Sequence, residues 1–252
     1  MKQDTSPVIR DLLPRGDSAA SAPPTCPAPA AGRESAAGED ATARPPRDDY
    51  HITPDKLLSP REVAHLLRTS QRLAQRDLDQ GRTAWVKRYL LVHLACASGL
   101  RAGEIAGLRV ADFQEPAAGP QLVVRHSQVG RSRRVQVGLG LACHLREFLE
   151  FRRRNWGEIC AGPDLILPGR RGRPYSTAAL GASFRKAVEA ARLPAVYSLR
   201  NTRHTYAAFL LAQTGDLRFV QRQVGHANQS MTVLYREVTP LADADLARAL
   251  LS

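Results

Sequence analysis

Residues 198–211, SLRNTRHTYAAFLL, place Arg200 and Arg203 three positions apart, with His204 and Thr205 just ahead of an apolar run. If a helix starts here, the two guanidiniums share one face beside the positive end of the helix dipole, where like charges repel. An anion between them would remove the conflict, because an arginine fork matches phosphate oxygens and a helix start offers unpaired amides. A solvated basic edge is the ordinary alternative, and one Arg-x-x-Arg alone does not exclude it.

Two other segments bear on the choice. ASGLRAGEIAGLRVADF carries Arg101 and Glu104, and VGHANQSMTVLYREV carries His226 with Tyr235 nine residues on. Singly, each has an ordinary reading: Arg101 as a surface arginine paired with Glu104, His226 as a helix C-terminal histidine, Tyr235 as a half-buried helix residue. In order and spacing, however, Gly-Leu-Arg, then Arg-His-Thr, then Gly-His with its distant Tyr resemble the tyrosine recombinase (phage integrase) family, over about residues 57–238.

The resemblance implies a mainly α-helical catalytic domain with a small antiparallel β-hairpin or sheet. It also implies a reaction in which a tyrosine hydroxyl attacks a DNA phosphodiester, joins the 3′ phosphate and frees a 5′ hydroxyl, with no metal or other cofactor. Protein cations must then neutralise the non-bridging oxygens, and an acid must protonate the leaving oxygen. On this pattern Arg101 and Arg203 grip the phosphate, His226 donates to one of its oxygens, and Tyr235 is the nucleophile, activated by nearby cations. His204 and Thr205 are expected to be structural, and Glu104 to buttress the Arg101 turn. The partners implied are double-stranded DNA and either three further copies, in a homo-tetramer on DNA, or a partner recombinase. The C-terminal LADADLARALL could dock on a neighbouring subunit.

The chain also departs from the pattern. Arg200 stands where the family usually has histidine or lysine, and arginine is a poor proton shuttle, which leaves the base for Tyr235 open. The family lysine on or beside the β-hairpin is missing: the lysines are Lys2, Lys56, Lys87 and Lys186, and Val129 occupies its aligned position. Arg131, Arg133 and Arg134 surround the hairpin turn and are expected to contact DNA, as are Arg170 and Arg171 in LPGRRGRPYS. FRRR at 151–154 is either a further DNA-facing group or solvated surface. The family's usual DNA-clamping domain would precede the catalytic one, but residues 1–49 are too short and too rich in proline and alanine to form it. A catalytically weakened DNA-binding derivative of such an enzyme is the rival reading. A helix-turn-helix repressor would explain the charge but not the three motifs.

Positioning these residues falls to a mostly helical chain. Ser59, Pro60 and Glu62 make a capping box ahead of Val63, Leu66 and Leu67, so a helix starts there. TAWVKRYLLVHLACAS predicts a second helix stopping at Gly99, and RAGEIAGL a short third. QLVVRHSQVGRSRRVQVG alternates on both sides of Gly130 and predicts a hairpin. Helical patterns return in LACHLREFLEFRRR, STAALGASFRKAVEAARL, TRHTYAAFLLAQTG, DLRFVQRQVGH, SMTVLYREV and LADADLARALL.

Composition agrees with a polyanionic partner. The 252 residues carry 36 Lys+Arg against 24 Asp+Glu, a net +12. Residues 1–49, with 8 prolines and 10 alanines, are net −2 and expected to be disordered, so residues 50–252 hold +14 as the catalytic domain. No segment is apolar and long enough for a membrane span or signal peptide, and the four scattered cysteines suggest reduced thiols, so a cytosolic protein is expected.

Overall fold

The computed structural model describes residues 53–125, 132–158, 160–225 and Tyr235. The expected proline-rich tail at 1–49 and the helical segments expected at 230–238, apart from Tyr235, and at 241–251 lie outside these residues.

α1 (Pro60–Asp79) begins at the capping box: Ser59 Oγ accepts from the Glu62 amide at 3.2 Å, and Glu62 returns a carboxylate oxygen to the Ser59 amide at 2.8 Å. α2 (Ala84–Ser98) is apolar nearly all round, which makes it the helix the others surround: α1, α4, α5 and α6 all pack on it. It stops at Gly99, whose φ of +62° suits a residue without a Cβ. A Cβ at this position would also stand 2.4 Å from the ring of Tyr206, so glycine lets α2 approach α6 closely. α3 (Ala102–Gly107) follows.

The expected hairpin is present, and the sheet is larger by one short strand. β1 (Phe113–Gln114), β2 (Gln121–Arg125) and β3 (Ser132–Gln136) form an antiparallel meander in that order. Leu122 pairs with Val135 and Val124 with Arg133, and the buried Leu122, Val124 and Val135 face the core. The turn itself lies outside the described residues.

α4 (Leu139–Trp156), α5 (Thr177–Ala190), α6 (Leu199–Thr214) and α7 (Leu217–Val224) complete the order. α6 buries almost its whole length and is tied to the preceding chain at both of its first turns. Asn201 Nδ2 donates to the Lys56 carbonyl at 2.8 Å, and the Leu58 amide donates to Thr205 Oγ1 at 3.0 Å. A second, smaller core joins α6 to α7 through Tyr206, Leu210, Val220 and Val224, and Tyr235 belongs to it. Among the described residues no helix is long and apolar enough to cross a membrane, and no group of three or more His, Cys, Asp or Glu could hold a metal ion.

The main core contains a polar pair. His93 of α2 and His144 of α4 face each other with Nδ1 atoms 2.9 Å apart, and the Tyr89 ring lies 4.2 Å from that of His144. Burial holds His93 down to about 4 and, with His93 beside it, holds His144 well below the ordinary value. Both are therefore neutral in the fold, while an unfolded chain would protonate them near 6.5. Stability from this pair is complete above pH 6.5 and is lost as pH falls toward 4, by about 3 kcal/mol for His93 alone. Melting temperatures between pH 7.5 and 4 should show the fall, and His93→Gln/His144→Gln should flatten it.

Candidate active site

Arg203 is the centre of the arrangement. Position five of α6 faces inward, so its guanidinium is buried, 6% exposed, and Nη1 donates to the Gly99 carbonyl at 2.6 Å. That carbonyl is presented by the glycine turn ending α2. Nη2 is buried too, and reaches no acceptor among the described residues. Burial, and then the neighbouring charge of Arg101, lower this guanidinium to about 10, against a favourable contribution from Glu104. A cation so placed has an unused donor and like charges around it, which suits an anionic ligand.

Arg101 leaves the same turn, caps α3 and remains exposed. Glu104 accepts from its amide at 2.7 Å and from Nη1 at 3.1 Å, while Nη2 donates to the Gly225 carbonyl at 3.0 Å. The ordinary pairing with Glu104 thus coexists with a contact to the chain that leads into His226. Arg200, by contrast, points to solvent from the first turn of α6. The shared face expected for Arg200 and Arg203 is therefore corrected: one guanidinium enters the core and the other does not.

Tyr235 is fully buried, and its hydroxyl lies 2.7 Å from His204 Nδ1. Burial, followed by the charges of Arg203, Arg200 and Lys56, holds His204 near 4, so the imidazole is neutral. A neutral ring can take or give one hydrogen bond at Nδ1, and the tautomer decides which partner donates. The structure thus gives His204 a direct contact with the phenol that sequence did not assign to it. Thr205 is structural, donating from Oγ1 to the Asn201 carbonyl at 2.9 Å.

The hairpin arginines divide. Arg134 is exposed on β3, as are Arg170 and Arg171 in the 3₁₀ turn before α5, and all three are free to meet an external polyanion. Arg133, also expected to contact DNA, is turned inward in the fold. It shares the inward face of β3 with Val135, its side chain is 11% exposed, and it makes a two-pronged pair with Glu104 at 2.7 and 2.9 Å. Arg131 and His226 lie outside the described residues. In FRRR, Arg152 is also turned inward, bonded to the carbonyls of Leu165 and Ile166 and paired with Glu158, while Arg153 and Arg154 pair with Glu150.

Sequence reasoning missed three participants: His204 as the partner of Tyr235, Arg133 as a partner of Glu104, and Lys56, close enough to His204 for its charge to be felt. The period-two burial of β3 was a usable signal for Arg133. No local signal announces the other two contacts, which join distant parts of the chain.

Known proteins are similar to this chain in sequence and in fold. Residues 56–241 match the family described as the Phage integrase family. Tyrosine recombinase XerC of Mesorhizobium japonicum is 31% identical over 211 residues, 82% of this chain and 62% of that protein. Tyrosine recombinase XerA of Pyrococcus horikoshii is 28% identical over 155 residues, 60% of this chain and 50% of that one. The chain thus spans about half to three fifths of these relatives' length. Among solved structures, XerA recombinase aligns with a TM-score of 0.59 at 24% identity, over 76% of this chain and 62% of its own. The XerH site-specific recombinase bound to palindromic difH substrate, a post-cleavage complex, gives 0.60 at 20% identity, over 77% and 52%. A lambda integrase tetramer bound to a Holliday junction gives 0.54 at 17% identity, over 78% and 51%. These structural likenesses speak for the fold, and the family match covers most of the chain. The chain belongs to the phage integrase family, the tyrosine recombinases.

Proposed function

We propose that residues 50–252 are the catalytic domain of a site-specific DNA recombinase that cuts and rejoins double-stranded DNA through a 3′-phosphotyrosyl link at Tyr235. The observation that carries this reading is the buried Nη2 of Arg203, a cationic donor without an acceptor among the described residues, beside Arg101. A phosphate oxygen supplies the missing acceptor, and the two guanidiniums offset the charge that grows on the non-bridging oxygens as the phenolic oxygen attacks phosphorus. His226, one residue beyond the Gly225 carbonyl that Arg101 holds, adds a further donor. Because Tyr235 is wholly covered, attack requires that it be uncovered toward this phosphate. The leaving 5′ oxygen takes its proton from water or His226, since hairpin residues 121–138 include no lysine.

Relatives support the partners. XerH is described on difH substrate, and lambda integrase as a tetramer on a Holliday junction. By analogy this chain acts in the cytosol on two duplexes as a homo-tetramer or with a partner recombinase, with residues 241–251 docking on a neighbour and residues 1–49 as a tail.

The test uses nicked duplexes of random sequence as suicide substrates. A denaturation-resistant adduct, with protein on the 3′ phosphate and a free 5′ hydroxyl, is expected. Its absence across the pool would remove the reading. Duplex binding should weaken steeply with salt, because the +14 of residues 50–252 acts through phosphate contacts and counterion release. An affinity indifferent to salt would contradict that electrostatic account.

A further inference from the structure

Arg133 sits at the join of three elements. It leaves β3 on the inward face and reaches Glu104 in the first turn of α3, with Nη1 to Oε1 at 2.7 Å and Nη2 to Oε2 at 2.9 Å. Its Nε donates to the Gln223 carbonyl in the last turn of α7 at 3.1 Å. The Gln223 side chain returns the link, its Oε1 accepting from the Gln136 amide of β3 at 3.0 Å. Glu104 holds Arg101 by amide and guanidinium, and Arg101 holds the Gly225 carbonyl. The contacts close into a ring: Arg133, Glu104, Arg101, Gly225, and back along the chain to Gln223.

The ring is charged, and its Arg133–Glu104 pair is sheltered, at 11% and 12% exposed, while Arg101 faces solvent. Burial opposes the Glu104 charge, yet the hydrogen bonds from Arg133 and the Arg101 amide hold its carboxyl at about 2. Gly225 completes the fit. At φ +68° it turns the chain out of α7, and a Cβ there would stand 2.9 Å from the Arg133 guanidinium. That guanidinium is thus packed against the turn that leads directly into His226. A lysine could not replace it, because one ammonium cannot serve two carboxylate oxygens and a carbonyl in a single plane.

We propose that Arg133 is a positioning residue for strand cleavage: it sets Arg101 and the Gly225 turn at the end of α7 in one register, so that the placement of β3 fixes the placement of the phosphate grip. This rests on the recombinase reading above. Arg133 touches no DNA in this role. It acts through Glu104 and through the backbone of α7.

The experiment compares the full-length wild type with Arg133→Lys, Glu104→Gln and the double variant, well below each melting temperature. Binding to random-sequence duplex is read by anisotropy, and the single-turnover rate of adduct formation is read on the nicked random-sequence pool. Arg133→Lys should bind within about twofold of wild type yet form adduct about 10²-fold more slowly, the cost of a misplaced reacting group. Glu104→Gln should slow the same step, and the double variant should be no slower than the slower single, because both changes break one unit. An Arg133→Lys rate equal to wild type, losses that multiply in the double variant, or a loss confined to binding would overturn the proposal. If Arg133→Lys does not fold, Glu104→Gln carries the test, with an unchanged adduct rate as the overturning result. A wild-type chain that forms no adduct at all would instead bring down the recombinase reading, and this proposal with it.

Discussion

Tyr235→Phe is expected to bind DNA as the wild type does and to form no covalent adduct. The substitution removes only the phenolic oxygen, and the ring keeps its place in the small core with Tyr206, Val220 and Val224. What is lost in the fold is the 2.7 Å contact with His204, a cost of about 1 kcal/mol for a hydrogen bond of this kind. A melting temperature a few degrees lower and an adduct band at zero are the paired readouts. An adduct of undiminished yield would place the nucleophile on another residue, with Tyr175 the first to examine, since Tyr89, Tyr197 and Tyr206 are buried in the two cores.

Arg203→Gln should slow adduct formation by about 10² to 10³, the range found when one donor to a developing oxyanion is removed. Glutamine can still donate to the Gly99 carbonyl, which keeps the α2 turn in place, but it brings no charge and cannot extend a second nitrogen toward phosphate. Arg203→Lys should fare little better, because a single ammonium cannot hold the carbonyl and a phosphate oxygen in the directions a guanidinium spans. Duplex affinity should change much less than rate, since 30 Lys+Arg of residues 50–252 share the electrostatic attraction. Equal losses in binding and rate would show Arg203 to be an anchor for DNA with no special part in the transition state.

Much of this was legible from the residues. The Ser59 capping box, the Gly99 stop and the alternation of residues 121–137 depend on neighbours in sequence, and each reappears as a helix start, a left-handed turn or a strand pair. β1 was not legible, because two residues carry no period, and it exists only by pairing with β2. The basic residues misled where charge was taken to mean surface. In α4 the buried stripe Leu141, Leu145, Phe148, Leu149 continues at helical spacing onto Arg152, so the period already placed that arginine inside. On β3, Arg133 shares the parity of Val135 in the same way. In both places a carboxylate and backbone carbonyls meet the buried charge, and those partners lie 6 to 90 residues away, where no local pattern reaches. The pairing of His204 with Tyr235, 31 residues apart, belongs to the same class.

The close approach of Gly99 to Tyr206 has an evolutionary consequence. Any side chain at 99 must take a left-handed backbone and displace an aromatic ring that stands 2.4 Å from its Cβ, so a change there survives only with a smaller residue at 206. That second change opens a void in the core that holds Tyr235. Positions 99 and 206 should therefore covary among relatives, with the residues around Tyr235 adjusting in turn. The turn that presents Arg101 and the packing that holds Tyr235 are inherited together, and neither can drift without the other.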